Sequence, residues 1–291
     1  MCRLFALSGG AEPVAATFWL LEAPDSLAAQ SRREPDGTGL GSFAADGTPH
    51  VDKAPIAAHA DLGFAREARE VASRTFVAHI RFASTGGLQM RNTHPFEQDG
   101  RLLAHNGVIQ DIDELDRRLG DQGLRYVHGD TDSERFFALI SVESERAGGD
   151  VGAGIAAAAG WVAAHLPLLA LNLILVTPGD LWALRYPETH DLLVLEREAG
   201  GGSGRHLDHS SAAGSVRVRS GSLADRPAVI VASEAMDADS GWRSLEPGEL
   251  LHVDGNLHVS RQLILPDPPA RPLTLAELDP RAAESQAPAP A

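Results

Sequence analysis

The chain has 291 residues, 43% of them hydrophobic, and carries a formal net charge of −15 with one cysteine. This length suits one large domain or two modest ones with a substantial core. An acidic chain is a poor nonspecific nucleic-acid binder, so we expect no nucleic-acid partner. No run of about 18 or more apolar residues occurs, which predicts no transmembrane helix and no membrane partner. With no signal-peptide pattern and no possible internal disulfide, we expect a cytoplasmic location.

In chain order, the first half alternates predicted strands with predicted helices. The apolar runs that indicate strands are Leu4–Ser8, Gly39–Ala45, Thr75–Ala83 and Leu102–His105. The segments that indicate helices are Glu12–Glu22, Ser26–Ser31, Leu62–Val71, Ile112–Leu119, Ser133–Ser144 and Val151–Ala164. The last strand of this half runs into Asn106-Gly107, a strong signal for a hairpin turn.

The second half is predicted to be rich in strands. They are Leu169–Val176, Leu181–Tyr186, Leu192–Glu196, Ser215–Val218, Ala228–Ala232, Glu249–Val253 and His258–Leu263. Gly200–Ser211 is predicted to be a loop, either a lid or a linker. The segment 266–291 is rich in Pro and Ala, so we expect a disordered tail. A first half of alternating strands and helices with a strand-rich second half predicts two sheets with helices outside, a layered α+β domain.

The single cysteine stands at position 2, directly after Met1. Cysteine is small, so we expect Met1 to be removed, which would leave Cys2 with a thiol and a free α-amine on one carbon. An α-amine has an ordinary pKa of about 8, low enough to act as a base near neutral pH. Cys2 would then hold both a nucleophile and its base, although a stray structural cysteine is the plainer alternative.

Two further segments carry groups that suit an amino-acid substrate. The run HIRFASTG places Arg81 at the end of a predicted buried strand, where an arginine can hold a carboxylate through two hydrogen bonds. The run GDTDSE reads as a helix N-terminus, and its Asp132 could also receive an ammonium group. A surface ion pair and a simple helix cap are the alternatives for Arg81 and Asp132.

A third segment, AHNG, contains Asn106 and Gly107. Alone it favours a plain hairpin turn. Its functional interpretation is an oxyanion hole, in which the Asn106 side-chain amide and the Gly107 backbone N–H face an oxygen that becomes negative in acyl transfer. Combined with Cys2, Arg81 and Asp132, this set fits a γ-glutamyl group whose side-chain amide carbon lies at the thiol.

With these motifs in place, the chain resembles the class II glutamine amidotransferases, members of the N-terminal-nucleophile hydrolases. The resemblance rests on four motifs in order, MCRLFALSG, HIRFASTGG, NTHPF with AHNG, and GDTDSE. A later segment, ASEAMD followed by LEPGEL, extends it to about residue 260. Among family members the chain is most similar to stand-alone types, including those of the ergothioneine pathway that hydrolyse γ-glutamyl amides.

The resemblance implies a fold and a set of roles. The fold is a four-layer αββα sandwich, with the family domain at 1–265 and the tail at 266–291. Cys2 would be the nucleophile, and Asn106 with Gly107 the oxyanion hole. Arg81 would bind the substrate α-carboxylate and Asp132 the α-ammonium. The NTHPF motif places two further residues near the pocket, Thr93 and His94.

Three functions remain open at this stage. The first is cysteine-dependent hydrolysis of glutamine or a γ-glutamyl conjugate through a thioester on Cys2. The second is a glutaminase subunit that delivers ammonia to a separate synthase partner. The third is a non-catalytic binding protein on the same scaffold. We expect no cofactor and no metal, because the twelve histidines are scattered and HExxH is absent.

Overall fold

The computed structural model describes residues 2–82, 87–199, 208–210, 217–219 and 226–287. Most of the predicted loop Gly200–Ser211 and half of the predicted strand Ser215–Val218 lie outside these residues. Every paired strand within the described part runs antiparallel to its neighbours. The strands form two large sheets and two small two-stranded ones.

The first large sheet has seven strands with the N-terminal strand at its centre. Their spatial order is Arg243–Ser244, Leu193–Arg197, Ala228–Ala232, Arg3–Ser8, Thr75–Arg81, Gly37–Phe43 and Pro49–Ala54. The strand Pro49–Ala54 was not predicted, because Asp52 and Lys53 break its apolar pattern. It lies at the sheet edge, where polar side chains remain in water.

The second large sheet has six strands. Their spatial order is Val259–Leu263, Glu249–Val253, Leu181–Leu184, Leu168–Val176, Arg101–Ile109 and Phe96–Gln98. The small sheets pair Val14–Ala15 with Ala72–Ser73, and Asp208–Ser210 with Arg217–Arg219. The predicted second-half strands Leu169–Val176, Leu181–Tyr186, Leu192–Glu196, Ala228–Ala232, Glu249–Val253 and His258–Leu263 thus all correspond to observed strands.

Six α-helices complete the described fold. They are Leu27–Gln30, Leu62–Glu70, Ile112–Leu124, Asp132–Arg146, Val151–His165 and Pro280–Gln286. Shorter helical turns occupy Phe18–Glu22, Ala58–Ala60, Met90–Asn92 and Leu275–Glu277. Side-chain oxygens start several of the helices: Thr131 accepts from Glu134 N at 3.2 Å and Asp150 from Ala153 N at 2.9 Å.

Three apolar layers separate the elements, which confirms the four-layer αββα prediction. Leu4 and Ala6 of the first strand enter the layer between the two sheets. Phe5 and Leu7 point to the opposite face, where they pack under the short helices of the first half. A third cluster lies between the second sheet and the long helices, and it includes Phe136. The alternation follows from the two-residue period of a strand.

Two local predictions differ from the structure. Asn106-Gly107, predicted as a hairpin turn, lies inside the strand Arg101–Ile109, because this segment pairs along its length with Leu168–Val176. Glu12–Glu22 was predicted as one helix, but it divides into a short strand and the helical turn Phe18–Glu22. Pro13 lies inside this segment and lacks the N–H that a continuous helix needs.

The segment after residue 265 also differs from the predicted disordered tail. Its backbone is hydrogen-bonded to the start of the strand Leu168–Val176: Leu168 N donates to Arg271 O at 3.1 Å, and Leu273 N donates to Leu168 O at 2.8 Å. Leu278 and Ala282 are buried in a small apolar cluster. The domain boundary at 265 stays a prediction. Across the described residues, no helix combines the length and the apolar character that crossing a membrane requires.

Gly39 offers a test of how closely the strands approach the NTHPF segment. A Cβ at this position would overlap the carbonyl oxygen of His94. We therefore expect Gly39→Ala to lower the free energy of unfolding by about 1–3 kcal/mol, measured by urea denaturation. The control is Gly160→Ala in the helix Val151–His165, where an added Cβ meets no atom within 4 Å among the described residues. It should stabilise the protein by about 0.5–1 kcal/mol.

Candidate active site

Cys2 lies at the start of the central strand of the first sheet, and it is 7% exposed. The Phe82 backbone N–H donates to Cys2 Sγ at 3.3 Å, and Sγ lies 3.4 Å from the Phe82 carbonyl oxygen. The sulfur can therefore accept a hydrogen bond when ionised and donate one when protonated. Burial raises the pKa of the Cys2 thiol above its ordinary value, while the hydrogen bond from Phe82 opposes this shift.

Arg81 reaches Cys2 through the register of the first sheet. The strands Arg3–Ser8 and Thr75–Arg81 are antiparallel, with Arg3 opposite Ile80. The beginning of one strand therefore lies beside the end of the other, which brings Arg81 next to Cys2. The Arg81 guanidinium is buried and donates to Gly87 O at 3.3 Å. Burial lowers the pKa of Arg81, while Cys2 and Asp36 oppose this shift.

Asn106 and Gly107 approach Cys2 from the second sheet. The Asn106 side-chain amide donates to the Cys2 carbonyl oxygen at 3.3 Å. Gly107 is held so close to the neighbouring strand that a Cβ would overlap the Ala170 carbonyl oxygen. Both residues therefore lie beside the nucleophile candidate, and the strand leaves no room for a side chain at position 107.

Asp132 occupies the first turn of the helix Asp132–Arg146 and is 6% exposed. Its carboxylate accepts from the Ile109 backbone N–H at 2.8 Å and from the Ser133 backbone N–H at 2.9 Å. Thr131 therefore caps the helix, and Asp132, for which a simple cap was the alternative, connects the helix to the strand that carries Asn106. This anchoring holds a carboxylate at the cavity wall.

These side chains surround one small cavity with room for about 30 Å³, which is enough for water. Of the predicted site residues, it brings together Cys2, Arg81, His94, Asn106, Gly107 and Asp132. Further lining residues that the sequence reasoning missed are His79, Asn92, His105, Thr131, Ser133 and Gln286. His79 could have been predicted, because residues two apart on a strand lie on the same face and His79 is two residues before Arg81.

Thr93 lies behind the cavity wall and supports the NTHPF segment. Its hydroxyl donates to Gln89 O at 3.0 Å, and its carbonyl oxygen accepts from Lys53 Nζ at 2.8 Å. Asn92 links this segment to the GDTDSE turn, because its amide oxygen accepts from Asp130 N at 2.9 Å. Thr93 thus supports the segment that carries His94, and the substrate-binding role that the resemblance implies for Thr93 stays a prediction.

Three buried histidines line the cavity floor. The rings of His79 and His94 lie 4.3 Å apart, and His105 Nδ1 lies 2.9 Å from Ser133 Oγ. Burial lowers the pKa of His79 to about 3, with Arg81 and His105 adding to the shift. Burial also lowers the pKa of His94 and of His105. The three imidazoles are neutral at pH 7. Over the described residues, no group of three His, Cys, Asp or Glu side chains is arranged to hold a metal ion.

The sequence matches the family of class II glutamine amidotransferases over residues 1–269. The probable glutamine amidotransferase DUG3 of Saccharomyces cerevisiae is 29% identical over 170 residues, covering 52% of this chain and 47% of DUG3. The chain therefore spans about half the length of this curated relative. The family match confirms the resemblance that the four motifs carry.

Solved structures show the same fold. A predicted glutamine amidotransferase of Pseudomonas aeruginosa has a TM-score of 0.60 and 20% identity, with 89% of this chain and 99% of that chain covered. A glutamine aminotransferase class-II domain protein of Silicibacter pomeroyi has a TM-score of 0.59 and 20% identity, with 90% and 98% covered. At this identity the likeness concerns the fold alone.

His79 allows a test of the dry cavity floor. Between pH 6.5 and about 3 the unfolded chain binds a proton at His79 that the folded chain excludes. The free energy of unfolding should therefore fall as the pH is lowered through this window. In His79→Phe, which keeps a ring beside His94, the slope should shrink by up to about 1.4 kcal/mol per pH unit.

Urea denaturation across this pH range measures the slope for the protein and the variant. The control is His50→Phe, at an exposed position on the edge strand. Equal slopes for the protein and His79→Phe would contradict a neutral buried His79.

Proposed function

Because the chain belongs to the class II glutamine amidotransferases, we propose that it hydrolyses a γ-glutamyl amide through a thioester on Cys2. The substrate would be glutamine or a γ-glutamyl conjugate. The observation that carries this proposal is a buried thiol sharing one cavity with Arg81, Asn106 and Asp132. These are the groups that a γ-glutamyl amide requires: a nucleophile, an amide donor, a cation and an anion.

The resting thiol of Cys2 needs a base, because burial holds its pKa above the ordinary value. Removal of Met1 would supply that base as the α-amine of Cys2 itself. Since burial lowers the pKa of each of the three cavity histidines, they are poor proton acceptors. The proton of the thiol would therefore move to the α-amine as Sγ attacks the γ-carbonyl carbon.

The attack would form a carbon–sulfur bond and place negative charge on the γ-carbonyl oxygen. The Asn106 amide and the Gly107 N–H are the donors proposed for that oxygen. Collapse of the tetrahedral intermediate would break the carbon–nitrogen bond, and the departing amine or ammonia would take its proton from the Cys2 ammonium. A water molecule would then attack the thioester, which releases glutamate and restores the thiol.

Charge complementarity gives the orientation of the substrate. Arg81 would hold the α-carboxylate and Asp132 the α-ammonium, since each is buried and carries the opposite sign. His94 lines the same cavity as these two groups. Two buried groups of opposite charge in one cavity suit the α-carboxylate and the α-ammonium of an intact γ-glutamyl group.

The proposal is tested by measuring glutamate release from glutamine and from a panel of γ-glutamyl amides. Purified protein with Met1 removed, verified by mass spectrometry, is the enzyme, and Cys2→Ala is the control. Release that depends on Cys2 supports the proposal. Release from a conjugate but not from glutamine would define a γ-glutamyl hydrolase. Release mainly from glutamine, or only after a synthase partner is added, would favour the ammonia-delivering alternative.

Asn106 gives a sharper test of the chemistry. Asn106→Ala should lower kcat by roughly 10²–10³ with a much smaller change in KM, because an oxyanion donor acts mainly in the transition state. Steady-state glutamate release measures both constants. The matched control is Asn256→Ala, an exposed asparagine in a surface turn. A kcat close to that of the control would contradict the role of Asn106.

A further inference from the structure

The last helix of the described chain, Pro280–Gln286, lies across the candidate active site. We propose that this helix is a lid that must leave the site before a γ-glutamyl substrate can reach Cys2. The inference rests on the proposed function and adds a means of controlling access to it.

Each end of the helix is held by a polar contact near the site. At its C-terminal end, Gln286 is 2% exposed, lines the Cys2 cavity and pairs with His190 Nε2 at 2.8 Å. At its N-terminal end, Arg281 lies 3.4 Å from Asp36. The Asp36 backbone N–H in turn donates to the Arg81 carbonyl oxygen at 3.1 Å. The helix therefore extends from the Arg81 side of the site to the Cys2 cavity.

The space under the helix is narrow. The cavity has room for about 30 Å³, far less than the cleft beside it. A cleft of about 430 Å³ lies on the other side of Phe82, lined by Pro35, Asp36, Pro280, Arg281 and Glu284. The helix and Phe82 are walls common to both spaces. Displacing the helix would join the cleft to the cavity and make a path to the thiol.

The packing of the helix is weak enough for it to open. Seven residues are too few for a stable isolated helix in water, so its order depends on its contacts. The helix gives one buried residue, Ala282, and one partly buried residue, Ala283, to a small apolar cluster whose other buried members are Val108, Leu169 and Leu278. Its other buried residues, Ser285 and Gln286, are polar, and Arg281 is 58% exposed. Segments with little buried apolar area are those that open locally without global unfolding.

Alkylation of Cys2 measures the opening directly, because Cys2 is the only cysteine of the chain. The probes are iodoacetamide, which is small, and a fluorescein maleimide, which is bulky. The variants are a chain ending at Leu278, Gln286→Ala and Arg281→Ala, the last changing a contact outside the Cys2 cavity. The matched control is Arg66→Ala, which removes an exposed arginine that pairs with Glu67 in the helix Leu62–Glu70, a different helix from Pro280–Gln286. Circular dichroism establishes that each variant is folded.

We expect the shortened chain to react with the bulky maleimide about tenfold faster or more than the full chain, because the rate of labelling follows the open fraction. Arg281→Ala should accelerate labelling by up to about fivefold, the effect of losing an exposed ion pair. Arg66→Ala should label at the original rate. The lid is overturned if the folded shortened chain labels no faster than the full chain.

If the shortened chain does not fold, the point variants decide, and labelling at the original rate by both Arg281→Ala and Gln286→Ala overturns the lid. Turnover separates this proposal from the proposed function. Faster labelling with no glutamate release by any variant would retain the lid and remove the γ-glutamyl activity. With activity present, the lid predicts a lower KM for glutamine in the shortened chain.

Discussion

An apolar layer between the two sheets fixes the distance between the first strand and the strand Arg101–Ile109. Alternate residues of both strands enter this layer, namely Leu4, Ala6, Leu102 and Ala104. Cys2 and Asn106 are the next residues of the same alternation, one on each sheet. The candidate site is thus the open end of the layer, where two facing polar residues follow two facing apolar runs. The 3.3 Å contact between Asn106 and Cys2 depends on this packing.

The same packing sets the electrostatics of the site. His79 and Arg81 continue the inward-facing alternation of the strand Thr75–Arg81, so they too leave water. Burial then acts on each group according to its chemistry: it raises the pKa of the Cys2 thiol and lowers the pKa of His79 and of Arg81. Under the proposed function, a thiol that resists ionisation beside imidazoles of lowered pKa would need another base, and removal of Met1 would supply it as the α-amine of Cys2.

The sequence allowed most of this site to be predicted because its residues lie in short motifs at strand and helix ends. Four motifs separated by many residues led to Cys2, Arg81, Asn106 and Asp132, and one cavity contains all four. The Asn106-Gly107 turn was wrong because pairing with Leu168–Val176 outweighs a local turn preference. Gln286 could not be predicted, since a Pro- and Ala-rich composition does not show that Leu278 and Ala282 are buried against another strand.

The position of Gln286 places bond cleavage at Cys2 and access to Cys2 in different parts of the fold. The groups proposed for bond cleavage belong to the sheets and to the helix Asp132–Arg146, which pack on large apolar layers. The wall proposed to limit access belongs to the final helix, which packs on a small apolar cluster. A thioester under a closed helix would meet little water, whereas an open helix would admit water and a second nucleophile alike. The balance between hydrolysis and transfer would then depend on the final helix, with the chemical groups around Cys2 unchanged.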